Sequence, residues 1–296
     1  MLQPMAGPGR LRELLSQRRL LVAPGVYDGL SARIAEQAGF EVLYVSGGAI
    51  ARSMGLPDVG LVTLTETAKR LEEIRSVTSV PLVVDADTGY GNELNVIRTV
   101  RALERAGAAA IHLEDQVTPK KCGHYDGHEL IEAEAMARKI RAALDARQDP
   151  SLMVIARTDA RSAVGLDEAI RRGRLYAEAG ADMVFVEAPR SEAELERISR
   201  ELAGIPLLVN MFHGGKTPLV PAQRLEAMGY RLMIVPSDLQ RAAAWAMQRA
   251  ARLLRERGDT APLAGEMAGF AERDAMVGLP EIQALERRYL QGSSPP

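Results

Sequence analysis

Eight short apolar runs recur along the chain at fairly even spacing, at residues 21–26, 42–46, 82–86, 109–113, 153–156, 183–186, 207–209 and 232–235. Short runs of this kind predict buried strands. Between them, apolar residues return at helical spacing over 30–38, 64–75, 96–106, 131–144, 167–179 and 192–202. Three of these helices stop at Ala-Gly pairs (Ala38-Gly39, Ala106-Gly107, Ala179-Gly180), where glycine can take the left-handed conformation that closes a helix. Strict strand and helix alternation predicts a parallel sheet. Eight such units over about 240 residues suit a closed (β/α)8 TIM-type barrel, and no Gly-x-Gly-x-x-Gly turn follows the first strand to suggest an open doubly wound sheet.

A helix over 11–17 precedes the first strand, and helical segments over 242–254 and 280–289 follow the last. These last two exceed what closing a barrel requires, so they are expected to pack on another subunit. The terminal Gly-Ser-Ser-Pro-Pro is expected to fray. The chain reads as one domain over 1–296, with the barrel at about 18–255 and a C-terminal helical extension at about 256–296.

Charge narrows the partners. The chain has 37 Lys plus Arg against 39 Asp plus Glu, a balance that offers no field to hold nucleic acid or an anionic membrane. Hydrophobic residues at 47% and charged residues at 26% are those of a globular protein with a sizeable core. A lone cysteine, no N-terminal signal and no apolar run near the ~20 residues of a membrane span place the expected protein in the cytoplasm.

A barrel carries its chemistry at the C-terminal ends of its strands, and polar residues gather there. The third run ends Val84-Asp85-Ala86-Asp87-Thr88-Gly89-Tyr90-Gly91. A period of two puts Asp85 and Asp87 on one face, and the glycines let the backbone turn tightly. The fourth ends Ile111-His112-Leu113-Glu114-Asp115, where the same period aims His112 and Glu114 at the mouth beside the aspartates. Converging carboxylates repel unless a cation or a proton intervenes. Hard oxygen ligands with room for water suit Mg2+, or Mn2+, rather than zinc, so Asp85, Asp87 and Glu114 are the expected metal ligands. Salt bridges at strand ends are the competing reading, and the convergence favours the metal. Asp115, on the opposite face, is expected to be structural.

Other strand ends add Tyr44 with Ser46-Gly47-Gly48, Arg157-Thr158-Asp159, Glu187 and Asn210. Ser46 and the amides of Gly47 and Gly48 suit one carboxylate of a small anionic ligand, and the Arg157 fork suits another. The alternative partner for Arg157 is a strand-end acid such as Glu187. The loop 116–128 carries Pro119-Lys120-Lys121-Cys122-Gly123-His124 without apolar periodicity. Lysines and a histidine nearby favour a thiolate, and glycine lets the loop move, so Cys122 is expected as an acid or base delivered by a lid.

Together these segments resemble the isocitrate lyase and phosphoenolpyruvate mutase superfamily, in its 2-methylisocitrate lyase and 2,3-dimethylmalate lyase branches, over about residues 10–255. Tyr44-Val45-Ser46-Gly47-Gly48, Gly55-Leu56-Pro57-Asp58, Asp85 to Gly91, Lys120 to His124, Arg157-Thr158-Asp159 and Asn210-Met211 stand in the family's order. The resemblance implies a β/α barrel whose last helix is swapped between paired subunits of a homotetramer, with Mg2+ near Asp85, Asp87 and Glu114. It also implies that a 2-hydroxy acid is split into an α-keto acid and an enolate. On that implication Ser46, Gly47, Gly48 and Arg157 bind the keto-acid half, and Asp58 and Asp87 act through metal-bound water. Either Tyr44 or Asp58 takes the hydroxyl proton. Cys122 protonates the enolate, with His124, Glu187 and Asn210 around it; Lys120 joins the catalytic groups of the lid and Gly123 the substrate contacts.

The retained Lys-x-Cys-Gly-His pattern resembles the carbon-carbon lyases rather than the phosphoryl mutases or the simple oxaloacetate decarboxylases. Phe185 is similar to the apolar residue that lines the alkyl side in methylisocitrate lyases. Asn210-Met211-Phe212-His213-Gly214-Gly215-Lys216-Thr217-Pro218 looks more like the dialkylmalate lyases, which have Glu where His213 stands. Val235-Pro236-Ser237-Asp238 departs from the Tyr-Pro of both branches.

The expected function is therefore a Mg2+-dependent lyase of a 2-hydroxy di- or tricarboxylate. It would cleave 2-methylisocitrate, or a related 2-alkyl malate, to pyruvate or another α-keto acid and a carboxylic acid such as succinate. 2,3-Dimethylmalate cleavage and oxaloacetate hydrolysis are the alternatives, and a barrel that binds metal without catalysis is a third class. His128 reads as solvent-facing, and Trp245 and the scattered methionines as core or interface packing. Gly214-Gly215-Lys216 lacks the Walker spacing and context of a nucleotide loop.

Overall fold

In a computed structural model of the chain, described for residues 7–17, 19–125 and 127–290, all eight expected strands form, with ends shifted by no more than two residues. They are β1 (Leu21–Val26), β2 (Leu43–Val45), β3 (Leu82–Asp85), β4 (Ala110–Glu114), β5 (Met153–Thr158), β6 (Met183–Val186), β7 (Leu207–Asn210) and β8 (Leu232–Val235). Each pairs in parallel with its neighbours in sequence, and β8 returns to pair with β1, so the sheet is a closed barrel.

The helices are α1 (Pro8–Ser16), α2 (Gly29–Gln37), α3 (Gly47–Ser53), α4 (Leu64–Arg75), α5 (Glu93–Arg105), α6 (Ala133–Ala146), α7 (Ala160–Ala163), α8 (Leu166–Glu178), α9 (Glu192–Glu201), α10 (Ala222–Met228), α11 (Asp238–Arg257), α12 (Phe270–Met276) and α13 (Leu279–Leu290). Four of them, α3, α7, α10 and α12, were not expected; with seven residues or fewer they are too short to show a helical period. Local chemistry starts and stops the longer ones. Thr63 and Glu66 form a capping box on α4, and Gly39, Gly107 and Gly180 follow their helices at φ of 90°, 97° and 105°.

The chain divides into two compact units, Met1–Gln240 and Arg241–Pro296. The first holds the barrel. In the second, which begins inside α11, the helices α11, α12 and α13 carry no buried residue, and Trp245, Phe270, Ile282, Tyr289 and Leu290 are exposed. Trp245 is thus outside the core, which leaves the interface reading for it. The terminal segment expected to fray, 292–296, lies outside the described residues. Among the described residues no helix is long and apolar enough to cross a membrane.

Alternation along each strand positions the site. Ala23, Tyr44, Val83, Ala110, Ile155, Phe185, Leu208 and Ile234 face inward and form one buried cluster, joined by Leu11 and Leu14 of α1. Those two leucines meet Ala109, Met153 and Met183, where strands begin, so α1 closes the N-terminal end of the barrel. The intervening residues, such as Val84, Ile111, Leu113 and Val154, pack against the surrounding helices. Because side chains alternate with a period of two, extending the inward columns toward the strand ends delivers Ser46, Asp85, His112 and Glu114, Arg157, Glu187 and Asn210. The apolar barrel interior therefore gives way to a polar layer at the C-terminal mouth.

Candidate active site at the barrel mouth

Asp85 is the hub of one side. Its carboxylate accepts hydrogen bonds from the Tyr44 hydroxyl (3.2 Å) and from the amides of Gly47 (3.3 Å) and Asp87 (3.1 Å). His112 Nε2 lies 3.4 Å from the same carboxylate and 2.7 Å from the Tyr44 hydroxyl, with the two rings stacked. Burial holds the imidazole below its ordinary value, with Asp85 opposing that shift. Burial, with Asp85 beside it, pushes the Tyr44 phenol well above its ordinary range. Burial would raise Asp85 too, but His112, Lys120 and Arg157 more than offset it and the carboxyl stays ionised.

Asp87 sits in a left-handed turn at φ 47°, which swings its carboxylate toward the lid. Lys120 Nζ bridges Asp58 (2.6 Å) and Asp87 (2.8 Å). Burial, and Asp85 nearby, outweigh that ammonium and raise the Asp87 carboxyl. Glu114 is fully buried, and neither of its oxygens has a hydrogen bond, although Arg157 Nη1 stands 3.2 Å away. Asp87 Oδ1 likewise has no aligned donor. Burial pushes Glu114 well above its ordinary range, only partly countered by Arg157.

Buried carboxylate oxygens without donors are what a cation would satisfy, and an all-oxygen set suits a hard divalent ion. Among the described residues no three His, Cys, Asp or Glu side chains close into a finished metal cage. Asp85, Asp87 and Glu114 are the acids at the mouth that could hold such an ion.

The lid lies over this layer. The Cys122 amide donates to the Asp58 carbonyl (3.2 Å). His128, expected to face solvent, is buried instead, with a ring nitrogen 3.0 Å from the Cys122 carbonyl, because it pins the lid from behind. The expectation of a thiolate is reversed as well: burial, reinforced by Asp58, raises the Cys122 thiol, so the sulfur keeps its proton. Gly123 admits no side chain. A Cβ there would fall 2.4 Å from Arg157 Nη2 and 2.6 Å from Glu187 Cγ, so the lid rests directly on those two groups.

His124 Nε2 is 3.3 Å from both Glu187 Oε1 and Asn210 Nδ2. Burial would raise Glu187, yet Arg157 and the bonds from His124 and Asn210 hold its carboxyl down at about 2. The other ring nitrogen of His124 accepts from the Lys216 amide (2.9 Å), and Lys216 Nζ donates to the Tyr125 carbonyl (2.7 Å). Gly214-Gly215-Lys216 is thus a clasp on the lid, a role the sequence reading missed; the only signal was its place in the Asn210 to Pro218 segment.

Arg157 meets the alternative expected for it in part. Its fork is bidentate on Asp159 (3.0 and 2.8 Å), and Glu187 is 3.6 Å away. Phe185, expected to line the alkyl side, is fully buried one layer down, where its ring supports the Arg157 guanidinium at 5.4 Å and meets the edge of His112. The Ser46 hydroxyl caps α3 through the Ala49 amide (3.2 Å), and the Gly47 amide is taken by Asp85. Gly48 packs against Asp58, whose Oδ2 would be 2.6 Å from a Cβ.

A cavity of about 90 Å³ remains beneath the lid, with walls that include Asp58, Asp85, Cys122, Arg157, Asn210 and Ser237. A larger cleft of about 640 Å³ lies at the opposite end of the barrel, where Arg12 and Asp182 already pair at 2.7 Å. It holds none of the acids at the C-terminal strand ends, whereas the smaller cavity is lined by Asp85 and Glu187 among them.

Residues 11–255 match the phosphoenolpyruvate phosphomutase family model. The chain is 45% identical over 284 residues to a 2,3-dimethylmalate lyase of Eubacterium barkeri, covering 96% of this chain and 98% of that protein. It is 48% identical over 257 residues to a 2-methylisocitrate lyase of Aeropyrum pernix, covering 86% and 82%. The crystal structure of 2,3-dimethylmalate lyase superposes with a TM-score of 0.91 at 39% identity over 97% of this chain and 96% of that one. Oxaloacetate acetylhydrolase bound to 3,3-difluorooxalacetate superposes at 0.89 and 34% identity, covering 98% and 99%. Phosphonopyruvate hydrolase bound to oxalate and Mg2+ superposes at 0.88 and 31%, covering 97% and 100%. With the family model spanning the barrel and two relatives above 40% identity over most of both chains, the chain belongs to the phosphoenolpyruvate phosphomutase family, within the PEP mutase/isocitrate lyase superfamily.

Proposed function

We propose that the chain is a carbon-carbon lyase that cleaves 2-methylisocitrate, or a related 2-alkyl malate, into pyruvate and a carboxylic acid such as succinate. One observation carries this reading: the half-buried Cys122, whose thiol burial and Asp58 push up, lines the cavity next to Gly123, which rests directly on the Arg157 and Glu187 pair. A lid that delivers a proton donor suits a reaction whose product half leaves as an enolate.

The substrate hydroxyl gives its proton to Asp58, which lines the cavity, while Tyr44 keeps its own proton and orients Asp85. The oxygen electrons form the keto group, the carbon-carbon bond breaks, and its electron pair passes to the departing acid half. Cys122 then donates its S–H proton to that carbon. Arg157, Ser46 and Gly48 face the cavity and hold the carboxylate of the keto-acid half; His124, Glu187 and Asn210 surround the other half. Lys120 keeps Asp58 and Asp87 aligned. Asp85, Asp87 and Glu114 would hold Mg2+, or Mn2+, which supplies positive charge to the keto-acid oxygens as negative charge develops.

Two observations favour second readings. The near full-length match to a 2,3-dimethylmalate lyase favours that substrate, and the Ser237 hydroxyl on the wall, with an oxaloacetate acetylhydrolase among the structural relatives, favours hydrolysis of oxaloacetate. Incubation with Mg2+ and each of 2-methylisocitrate, isocitrate, 2,3-dimethylmalate and oxaloacetate, followed by mass spectrometry, separates them. Pyruvate plus succinate from methylisocitrate is the expected result. Propionate plus pyruvate from dimethylmalate shifts the substrate, and oxalate plus acetate from oxaloacetate overturns the lyase reading.

The exposed apolar residues of α11 and α13 support a homotetramer built from helix-swapped pairs, and the lone cysteine supports a cytoplasmic setting. Sedimentation at a mass near four chains checks the assembly.

A further inference from the structure

Lys139 belongs to no step described above, yet its side chain is buried. It lies on α6, which packs against α5 and β5. Lysine goes inside a protein almost only when paired, and among the described residues no carboxylate makes a hydrogen bond or ion pair with it. Among the described residues its ammonium makes one hydrogen bond, to the Thr88 carbonyl at 3.0 Å. Glu93 and Glu114 act on it through space, and the Glu93 carboxylate is already engaged by Arg138 at 2.9 Å.

Thr88 is a junction. It follows Asp87, whose left-handed φ of 47° is one that side chains rarely adopt. Its hydroxyl lies 2.9 Å from that of Thr118, two residues before Lys120 on the lid. On either side of it, the Asp87 carbonyl accepts from the Glu114 amide (2.9 Å) and the Gly89 carbonyl from the Thr99 hydroxyl (3.1 Å). A conformation of this kind persists only where the surroundings over-determine it; Lys120 and Asp85 hold Asp87 from the mouth side, and Lys139 supplies a charged anchor on the Thr88 carbonyl from behind.

We propose that Lys139 is a positioning residue: it holds the Thr88 carbonyl from behind, and so fixes the Asp87 turn that aims the acids of β3 and β4 at a common point. It touches no substrate. Its positive charge also lies behind Glu114, whose own oxygens lack donors. The metal readout of the test below rests on the proposed cation site, whereas the loop readout does not.

The test compares the full chain with Lys139→Met, which keeps the stem and removes the ammonium, and with Lys139→Arg. Amide hydrogen exchange is followed across 85–91, and Mn2+ binding by electron paramagnetic resonance. The Met variant is expected to exchange faster over 85–91 than elsewhere and to bind Mn2+ about 10- to 100-fold more weakly, with Arg restoring most of both. Unchanged exchange over 85–91, or an increase spread evenly over the whole chain, overturns the proposal. If the natural chain takes up no Mn2+ while the Met variant still loosens 85–91, the cation site falls and the positioning role stands. Should Lys139→Met not fold, Lys139→Gln takes its place with the same expected outcomes.

Discussion

Glu114 and Asp115 are consecutive carboxylates at the end of β4, both fully buried, and they live in opposite surroundings. Asp115 faces outward, toward α8. It accepts from the Thr158 hydroxyl (2.7 Å), the Tyr176 hydroxyl (2.7 Å), Arg172 (3.0 Å) and the Asp159 amide (2.9 Å). Glu114 faces inward and accepts from none. A carboxylate has about four acceptor positions. The outer acid receives four donors from the fold, three on one oxygen and one on the other, in a knot that ties β4, β5 and α8 together. The inner acid has its capacity held open, at a cost in stability. Sites of function are where a fold departs from full polar satisfaction, and the boundary here runs between two adjacent residues.

This contrast breaks most visibly through the lid that caps the inner side. Cys122→Ser is expected to cut turnover of the confirmed substrate by about 10²- to 10⁴-fold, the range of a lost general acid, with an unchanged melting temperature. Near natural turnover would sink the proton-donor role. On the outer side, Asp115→Ala removes the acceptor shared by Thr158, Tyr176 and Arg172, leaving Arg172 with Glu168 and the Ile131 carbonyl, and is expected to cost about 2–3 kcal/mol, read by urea denaturation; a loss under 1 kcal/mol would mean that the knot is ornamental.

Gly123→Ala gives a subtler break of the inner side. Its Cβ would collide with Arg157 and Glu187, so the lid lifts by a fraction of its normal seating, and kcat is expected to fall about 100-fold, as for an ~1 Å misplacement. Unaltered kcat would show that the lid seats elsewhere during turnover.

The smallest effect sharpens the comparison through pH. Burial raises the Glu114 carboxyl above its ordinary 4.5, so the folded state binds more protons than the unfolded one. Its stability must then fall as pH rises from about 4.5 toward the raised value. Glu187 has the opposite sign. Held at about 2, it contributes stability above the ordinary carboxylate value and loses it as pH falls toward 2. Glu114→Gln is therefore expected to remove the high-pH loss and raise the stability of the metal-free chain by ~1 kcal/mol, while Mg2+ no longer raises its melting temperature. Thermal melts from pH 4 to 8, with chelator and with Mg2+, check both halves; a variant that melts lower than the natural chain at pH 8 would contradict the account.

Legibility in the sequence followed the range of the interactions. The period of two placed Asp85, His112 and Glu114 on the inner face and Asp115 on the outer, and each stands there. The Ala-Gly stops were equally plain, since a left-handed glycine is a local event. What escaped depends on partners far along the chain. His128 was read as exposed, but six residues upstream the Cys122 carbonyl meets its ring only because the loop folds back. The Lys216 amide on His124 bridges 92 positions, and Lys139 on Thr88 bridges 51. The thiol of Cys122 was misjudged for the same reason: lysines close in sequence suggested a thiolate, whereas burial and Asp58, brought in from the loop between α3 and α4, raise it.

By itself the sequence determined the eight strands, their facing and the set of acids at the mouth, because apolar periodicity and backbone geometry act over a few residues. Only the tertiary structure decided which of those acids are answered and which are left open. A carboxylate's neighbours, burial and charge come from residues tens of positions away, and those distances are set when the barrel closes.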